Sequence, residues 1–433
     1  MARRCGCLAA AALAVALLVA APAGRAEGLP PEGLPELLRR VLLRDPQVRS
    51  AEAQLQVGQQ RLRQAMSRMG PTLGLTHTRG PSVDTEYGIS VPRRVESTDG
   101  VLRWNLYNAG NDLAEWRATE VDLRASVQER RRALEEAAQR IAEVYLDVLR
   151  LQTLVEAAAE RLRSVERLAQ TARRQNELGR LSDADAQQLE LALLDAQMVQ
   201  QEMLADLASA RAKLSVVTGA DGPQSLPPLI PVSLPAPGVV GDPGGVEAAR
   251  ERAVAARMRV RPEESVLAPR IDLEMRKQLA NRTLPVNSTE IDQAWLITLR
   301  WDFPVGGEAQ SRRDEAARRA EAAAAEAERA ARDVLAERST QEPQARQAGE
   351  AVAQLQRQLQ QYETLLRASD LQFEAGRRSL WQLVQLRESR YGVAQRLAEQ
   401  TMRQQRARLA QLALGGELLS ALGLPVSPDM VAP

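Results

Sequence analysis

The stretch Leu102-Arg103-Trp104-Asn105-Leu106-Tyr107-Asn108-Ala109-Gly110 recurs 197 residues later as Leu299-Arg300-Trp301-Asp302-Phe303-Pro304-Val305-Gly306-Gly307. The same shift of 197 places Gly179 on Gly376, so the two regions match without a net insertion between these landmarks. A shared offset over so long a span indicates internal repetition, which is the first feature a fold assignment must satisfy. The sequence therefore predicts two copies of one elongated unit.

The composition favours long helices and excludes several classes of function. Aromatic residues make up 3% and charged residues 26% of the 433 residues. Abundant Ala, Leu, Arg, Glu and Gln are typical of long or coiled-coil helices. The formal net charge is +1, with basic and acidic residues interspersed. Because nucleic acid requires a clustered basic surface, we expect no nucleic-acid partner.

The N-terminus has the pattern of a secretory signal peptide. Arg3 and Arg4 precede an apolar run over residues 8–21, and candidate cleavage sites lie between residues 23 and 26. We expect residues 1–26 to be removed. The alternative is a retained membrane anchor, but the run is shorter than the ~20 apolar residues that a spanning helix needs. Removal would also take away Cys5 and Cys7, the two cysteines of the chain, and with them any cysteine chemistry.

Each copy is predicted to contain a short amphipathic helix, a pair of strands, a long helix, a glycine-containing break and a second long helix. We expect the first repeat over 27–219, with a strand pair over 71–107 and long helices over 111–218. A proline-rich connector over 220–245 follows. The second repeat is expected over 246–424, with a strand pair over 269–303 and long helices over 308–422, and a tail over 425–433 ends the chain.

The first long helix carries two apolar rows with a spacing of seven residues, which are the seam rows of a coiled coil. The rows are Leu134, Ile141, Val148, Val155, Leu162, Ala169 and Ala137, Val144, Leu151, Ala158, Val165, Ala172. No proline interrupts residues 111–178, so a continuous helix there would be roughly 100 Å long at about 1.5 Å per residue. Gly179 and Gly376 are predicted to be the tips of two helical hairpins.

The strand-like segments alternate in polarity. Trp295, Ile297 and Leu299 lie on one face of the fourth segment and Thr298 and Arg300 on the other, and the pattern continues to residue 303. Short segments with apolar-out and polar-in alternation fit a transmembrane β-barrel. Four strands cannot close alone around an open lumen. The pattern therefore predicts that several chains share one barrel.

Together, these features resemble the TolC family of outer-membrane channel proteins over essentially the whole mature chain. Besides the repeated Leu-x-Trp strands, the resemblance rests on Leu34-Pro35-Glu36-Leu37 through Asp45-Pro46, on Tyr145-Leu146-Asp147-Val148-Leu149, and on the tips Asn176-Glu177-Leu178-Gly179 and Phe373-Glu374-Ala375-Gly376. The second tip, residues 372–380, is most similar to members that serve type I secretion.

The resemblance implies a fold that is mainly α with a membrane β-barrel portion. Long antiparallel coiled-coil helices would form a trimeric α-barrel tunnel across the periplasm, and four β-strands per chain would contribute to a shared transmembrane β-barrel in outer membrane lipid. It further implies a homotrimer that docks onto a periplasmic adaptor, also called a membrane fusion protein, and an inner-membrane ABC transporter or proton-driven pump. Such a channel has no cofactor, no metal and no catalytic residues.

Two sets of site residues follow from the resemblance. The adaptor-contacting tips would be Gly179, Leu181, Ser182, Gly376, Ser379 and Leu380. The periplasmic gate would comprise Asp185, Phe373, Arg378, Gln382 and Gln385. The alternative interpretation is a solvated hairpin turn for the tips and ordinary helix surface for the gate positions.

The gate departs from the family pattern at two positions. In the founding member of the family, aspartates lie six and nine residues past the second tip glycine, whereas this chain has Gln382 and Gln385. Neutral amides would remove the field that attracts cations and lets them block the channel. We therefore expect weaker cation selectivity and weaker block by multivalent cations than in an aspartate-ringed channel.

The two copies are also expected to differ in length. Pro46 and Pro71 are 25 residues apart but Pro262 and Pro269 only seven, which predicts that a helical segment is absent before the second strand pair. Gly219 and Gly423 differ by 204 rather than 197, which predicts a closing helix one heptad longer. Pro343 should kink the second long helix, because proline removes a backbone donor.

Catalysis is not expected. The single histidine, His77, lies in a predicted strand without a thiol or carboxylate cluster nearby, and no phosphate-binding loop is present. The first hypothesis is a passive conduit for protein export in a type I secretion system. The alternatives are the outer component of a multidrug or metal efflux pump and, from another class, a structural periplasmic coiled coil without a pore.

Overall fold

A computed structural model describes residues 33–86, 89–219, 243–264, 268–281, 293–303, 305–375 and 377–424. Two long helical hairpins extend from one end of a four-stranded antiparallel sheet. The predicted signal peptide, residues 220–242 of the predicted connector and the predicted tail lie outside the described residues. The architecture is that of the predicted fold class, mainly α with one small β portion.

The described helices and strands follow one another in a repeated order. The helices are α1 (Leu34–Val41), α2 (Pro46–Ser67), α3 (Asn111–Glu177), α4 (Asp183–Thr218), α5 (Gly244–Met258), α6 (Val260–Glu264), α7 (Glu308–Glu374), α8 (Leu380–Gly415) and α9 (Leu418–Ala421). The strands are β1 (Thr72–Glu86), β2 (Ile89–Tyr107), β3 (Arg270–Asn281) and β4 (Gln293–Arg300).

The long helices repeat at the offset read from the sequence. Helices α3 and α7 both contain 67 residues, and α4 and α8 both contain 36. Both α3 and α7 begin directly after a glycine with a left-handed backbone, Gly110 at φ 79° and Gly307 at φ 78°. Glycine suits this position because it adopts positive φ without steric penalty. The same local chemistry therefore starts the long helix of each copy.

The main core lies where both ends of the described chain meet on α3. Tyr145 and Leu146 of α3, Leu38 of α1, and Leu418 and Leu419 of α9 are all fully buried there. Burying a leucine side chain stabilises a fold by about 1.5–3 kcal/mol. The short terminal helices, which are too short to be stable alone, are thus held by packing against the middle of α3.

The two predicted seam rows of α3 face the interior. None of their residues is exposed, and Ile141, Val148 and Ala158 are completely buried. Further positions between the rows, including Ala138 and Ala142, are equally buried. The coiled-coil prediction was too narrow, because α3 packs against α2, α4, α5 and α8 rather than against a single partner.

The prediction of an absent helix before the second strand pair was wrong. Helices α5 and α6 occupy residues 244–264, a length close to the 22 residues of α2. The proline equivalent to Pro46 is Pro243, which lies 197 positions later and directly precedes α5. Pro262, on which the wrong prediction rested, lies inside α6. The predicted connector also ends two residues too late, since α5 begins at Gly244.

The prediction of an extra heptad in the closing helix was also wrong. Helices α4 and α8 have equal lengths and end at Gly219 (φ 61°) and Gly416 (φ 66°), which are 197 positions apart. Gly423 terminates the separate short helix α9 instead. Helix α7 continues through Pro343 from Glu308 to Glu374. A kink at that position stays a prediction.

The strand β4 is shorter than the alternation predicted. It ends at Arg300, and the rings of Trp301 and Phe303 stack beyond it with centroids 5.3 Å apart. Proline at position 304 has no backbone donor for a ladder, and the stacked rings offer a local alternative to pairing. The apolar alternation therefore runs past the point where the backbone leaves the sheet.

The register of the sheet separates an apolar face from a polar one. The strands lie in the order β1-β2-β3-β4, and all neighbours are antiparallel. Directly paired residues share a face. The apolar face contains Leu73, Leu75, Leu102, Trp104, Ile271, Leu273, Met275, Trp295, Ile297 and Leu299, and the polar face contains Thr72, Thr76, Arg103, Asn105, Arg270, Asp272, Glu274, Arg276, Thr298 and Arg300.

Within the part of the chain that the structure describes, no helix combines the length and the apolar character that crossing a membrane requires.

Candidate functional site

The first hairpin tip is a tight turn between α3 and α4. The backbone N–H of Arg180 donates to the carbonyl of Gln175 at 2.8 Å, and the N–H of Gly179 donates to that of Asn176 at 2.8 Å. Gly179 has φ 69°, the left-handed conformation with which many helices end. The predicted tip glycine is therefore a helix terminator, and its exposed backbone lies at the end of the hairpin.

The second tip repeats this turn between α7 and α8. The N–H of Arg377 donates to the carbonyl of Gln372 at 2.8 Å, which matches the bond between Arg180 and Gln175. The predicted tip residue Gly376 lies outside the described residues. The two hairpins therefore share one turn design, as the shift of 197 predicts.

Two predicted tip serines start the returning helices. Ser182 accepts a hydrogen bond from the backbone N–H of Asp185 at 3.2 Å, and Ser379 accepts one from that of Gln382 at 3.3 Å. Serine side chains commonly satisfy the free N–H groups at a helix start. Both serines remain exposed. They can therefore hold the turn and face a partner at the same time.

The predicted gate carboxylate, Asp185, is part of the same cap. The Ser182 hydroxyl donates to its Oδ2 at 2.6 Å, so the serine both accepts from the Asp185 backbone and donates to the Asp185 carboxylate. Nearby, the Asn176 amide donates to Oδ1 of Asp183 at 2.8 Å. Asp185 is exposed, and its carboxylate accepts one hydrogen bond.

A groove of about 260 Å³ lies between the two tips and brings most of the predicted site residues together. Predicted residues that line it are Asp185, Leu181, Phe373, Arg378, Ser379 and Leu380. Gln382 and Gln385 do not line it and are exposed elsewhere on α8. The predicted gate residues thus divide into two groups. Asp185, Phe373 and Arg378 line the groove and form the groove group, and Gln382 and Gln385, the free pair, lie outside it.

Arg378 and Phe373 tie the second tip to its own hairpin. Arg378 Nη1 donates to the hydroxyl of Ser369 at 2.5 Å and to Oε1 of Gln372 at 3.4 Å. Ser369 is fully buried. Phe373 is half-buried against an apolar cluster that includes Leu380 and Leu383. Leu380 is itself buried, so its structural part is to fill the tip core.

The structure reveals a charged cluster above the tips that the sequence did not indicate. Arg161 of α3 donates to Asp195 of α4 at 2.6 Å and to Glu388 of α8 at 2.9 Å. Its guanidinium also lies 5.1 Å from the ring centroid of Tyr391. The Arg161 side chain is only 9% exposed. Burial lowers the pKa of Arg161, but hydrogen bonds with Glu388 and Asp195 act against it and leave the pKa raised.

Two further arginines of α8 extend this cluster. Arg387 donates to Asp370 of α7 at 2.8 Å and to the Ser164 hydroxyl of α3 at 2.8 Å. Arg390 lies 2.9 Å from Glu160 of α3. We call Arg161, Arg387 and Arg390 with their partners the hairpin clasp. The clasp joins α3, α4, α7 and α8, because each arginine contacts more than one helix.

Among the described residues, no cluster of three or more His, Cys, Asp or Glu side chains could hold a metal ion. His77 lies in β1, where Nδ1 is 2.9 Å from the Thr98 hydroxyl of β2. This cross-strand bond gives the histidine a structural partner.

Comparison with known proteins agrees with this geometry. The sequence profile of the family described as outer membrane efflux protein matches residues 37–220. No curated protein matches the sequence. Residues 37–220 are therefore similar to the outer membrane efflux protein family, in line with the resemblance to the TolC family.

Solved structures share the fold at low sequence identity. The CmeC outer membrane channel of Campylobacter jejuni is 12% identical, with 89% of this chain and 86% of that chain covered and a TM-score of 0.75. VceC of Vibrio cholerae is 18% identical, with 91% and 97% covered and a TM-score of 0.76. The open state of the MtrE channel of Neisseria gonorrhoeae is 18% identical, with 89% of each chain covered and a TM-score of 0.74.

Proposed function

We propose that three copies of this chain form one channel through the outer membrane, which serves as the passive exit of a tripartite export machine. The sheets of the three chains would close one β-barrel, and the helical hairpins would form a tunnel that reaches a periplasmic adaptor. An inner-membrane ABC transporter or proton-driven pump would supply the energy. The observation that carries this proposal is that the helical layer and the β-sheet both have open edges. At these edges, helices or strands lack a neighbour on one side.

The helical layer has one edge at α7 and the other at α2 and α4. Helix α3 buries 22 of its residues, whereas α7, which is equally long, buries only Ala320, Ala327, Ala348 and Ser369. Apolar side chains are exposed at both edges, among them Leu371 at 68%, Leu191 at 66% and Met198 at 70%. Exposed apolar surface of this kind marks an interface. An adjoining chain would cover α7 with its own α2 and α4.

The sheet has the same incompleteness. Strands β1 and β4 each pair on one side only, and unpaired backbone groups are not tolerated in lipid. Leu73 at 80% and Ile297 at 73% are exposed on the apolar face. Pairing β4 of one chain with β1 of the next would satisfy both edges. The apolar face would then contact lipid and the polar face would line the lumen.

The tips are the proposed docking surface for the adaptor. Gly179, Ser182 and Ser379 are exposed at the ends of the hairpins, and Leu181 is half-buried between them. We expect a photo-crosslinking residue at position 379 to capture the adaptor in intact cells. The same residue at position 201, exposed in the middle of α4, is the control. Equal capture at both positions would contradict docking at the tips.

The cargo of the machine is proposed from the second tip. Residues 372–380 are most similar to channels of type I secretion, which favours protein export, whereas the family match, described as outer membrane efflux protein, favours efflux. The pump that co-purifies with the captured adaptor distinguishes the two. An ABC transporter with a large secreted protein substrate supports type I secretion, and a proton-driven pump supports efflux.

The hairpin clasp is proposed to hold the closed end of the tunnel together. In R161Q, Asp195 and Glu388 lose their shared cation, and removing one partner of a buried ion pair destabilises a fold by about 3–5 kcal/mol. Because both carboxylates are partly exposed here, at 56% and 34%, we expect a smaller loss, about 1–3 kcal/mol. R161Q should unfold at a lower temperature than the wild type, and its single-channel conductance should be higher.

The matched control is R318Q. Arg318 makes an ion pair with Glu321 within α7, and its side chain is 79% exposed. Exposed pairs contribute little to stability, so this variant should unfold and conduct like the wild type. Equal behaviour of R161Q and R318Q would show that the clasp does not hold the hairpins.

A further inference from the structure

Two arginines face each other at the helix-proximal end of the sheet. Arg270 of β3 pairs directly with Arg300 of β4 in the strand register. Both side chains are exposed and lie on the polar face. Like charges directly opposite each other on neighbouring strands are destabilising. An anion bound near the two guanidinium groups would offset this repulsion.

Three carboxylates lie near the pair along the chain: Asp272 and Glu274 have other partners, and the exposed Asp302 lies beyond the end of β4. Glu274 lies 3.2 Å from Arg103 and 3.2 Å from Arg276. Asp272 accepts a hydrogen bond from the Asn105 amide at 3.1 Å. Among the described residues, no carboxylate forms an ion pair with Arg270 or Arg300. The polar face of this end of the sheet therefore has an excess of positive charge.

Arg270 also borders a cleft of about 640 Å³ where the sheet meets the helices. Three other arginines of the cleft are paired: Arg259 with Glu115 and Asp122, Arg312 with Glu308, and Arg319 with Glu315. The cleft further contains Arg68 and the carboxylates Asp112 and Glu263. Its walls are thus close to charge balance, and the local excess lies at the arginine pair.

We propose that Arg270 and Arg300 form a binding site for anionic groups, carboxylates or phosphates, which gives the conduit a preference for anionic cargo. Guanidinium groups present planar donors that suit both groups in a bidentate manner. The inference rests on the proposed function, because closure of the barrel turns the polar face toward the lumen. Three chains would then place three arginine pairs around the base of the barrel, where their fields add.

Binding of inorganic pyrophosphate to the detergent-solubilised full chain tests the site without requiring a current. Calorimetric titration should show saturable binding by the wild type and at least tenfold weaker binding by R270Q/R300Q. The variant R270K/R300K keeps the charge but loses bidentate geometry, so its affinity should be intermediate. Since the glutamines remove a repulsion, R270Q/R300Q should unfold at the wild-type temperature or above, which separates lost binding from misfolding.

The matched control is R79Q/R94Q. Arg79 of β1 and Arg94 of β2 are exposed, and the strand register places them on the apolar face of the sheet. The control therefore removes the same number of charges from the opposite face. It should bind pyrophosphate like the wild type. Equal affinity of the wild type and R270Q/R300Q, or equal loss in the control, would overturn the site.

Reversal potentials in a potassium chloride gradient then test the preference for anions. The wild type should favour chloride, and R270Q/R300Q should shift severalfold toward potassium. An unshifted potential would overturn the preference. A wild type that binds pyrophosphate but carries no current would leave the site in place and contradict the proposed channel, so the two failures are distinguishable.

Discussion

Q382D/Q385D is expected to make the channel sensitive to block by a trivalent cation such as hexaamminecobalt. Both glutamines are exposed at the start of α8, next to the second tip. In a trimer, two aspartates per chain would form two rings of three carboxylates at the periplasmic mouth. Such rings concentrate cations, and a trivalent ion held there obstructs the flow of others. The inhibiting concentration should fall by on the order of tenfold or more.

The structure indicates that the fold accepts these aspartates. Gln382 occupies the position in α8 that Asp185 occupies in α4, three residues after the serine cap. An aspartate there can accept from the Ser379 hydroxyl, as Asp185 does from Ser182 at 2.6 Å. Acidic residues in the first turn also interact favourably with the helix dipole. Loss of function through misfolding is therefore not expected.

Q356D/Q360D is the matched control for the gate. Both residues are exposed glutamines of α7, one turn apart and further from the tip. They add the same charge without placing it at the mouth. Block in this control as strong as in Q382D/Q385D would show that general surface charge, and not a gate ring, attracts the cation. Strong block of the wild type itself would contradict the role given to the two glutamines.

E135Q is expected to remove a pH dependence from the docking of the C-terminal helix. Glu135 of α3 is 5% exposed, and neither of its carboxylate oxygens has a donor in hydrogen-bonding geometry. Burial raises its pKa to about 7, and the nearby N–H groups of Leu418 and Leu419 with the charge of Arg131 offset this only in part. Glu417, on the same side, raises it further.

The sign of the effect follows from the raised pKa. Between pH 4.5, the ordinary value, and about pH 7, folded Glu135 holds a proton that the unfolded chain releases. The folded state is therefore favoured below pH 4.5, and this advantage is lost as the pH rises to about 7. At about 1.4 kcal/mol per pKa unit, the loss is at most about 3.5 kcal/mol.

Hydrogen exchange of residues 416–424, corrected for intrinsic rates, measures this loss. In the wild type, protection should fall between pH 4.5 and about pH 7, and in E135Q it should stay the same at both values. The control is E136Q, because the neighbouring Glu136 is half-exposed and paired with Arg132. Equal protection of wild-type α9 at both pH values would mean that Glu135 does not control its docking.

Most of the fold follows from local patterns in the sequence. The offset of 197 locates four long helices, and the capping residues Gly110, Ser182, Gly307 and Ser379 occur where those helices begin. The errors arose where the offset was not applied. Pro243 and Gly416 obey it and mark real helix boundaries, whereas Pro262 and Gly423 do not obey it and belong to the short helices α6 and α9.

The hairpin clasp could not be predicted in the same way. Arg161 and Glu388 are 227 positions apart, and many other Arg and Glu residues of these helices are arranged similarly along the chain. Only the packing of α3 against α8 selects which of them meet. The division of the gate residues into a groove group and the free pair Gln382 and Gln385 also depends on how the two tips lie against each other, which helix periodicity does not determine.

The proposed channel requires that three chains complete one barrel by joining β4 of one chain to β1 of the next. Thr76 in β1 and Thr298 in β4 are exposed on the polar face of these edge strands. Chemical crosslinking of T76C/T298C with a bismaleimide in outer membranes tests the closure. We expect a ladder of two and three linked chains that stops at three. Absence of links between chains, or a ladder that continues beyond three, would contradict the closed trimer.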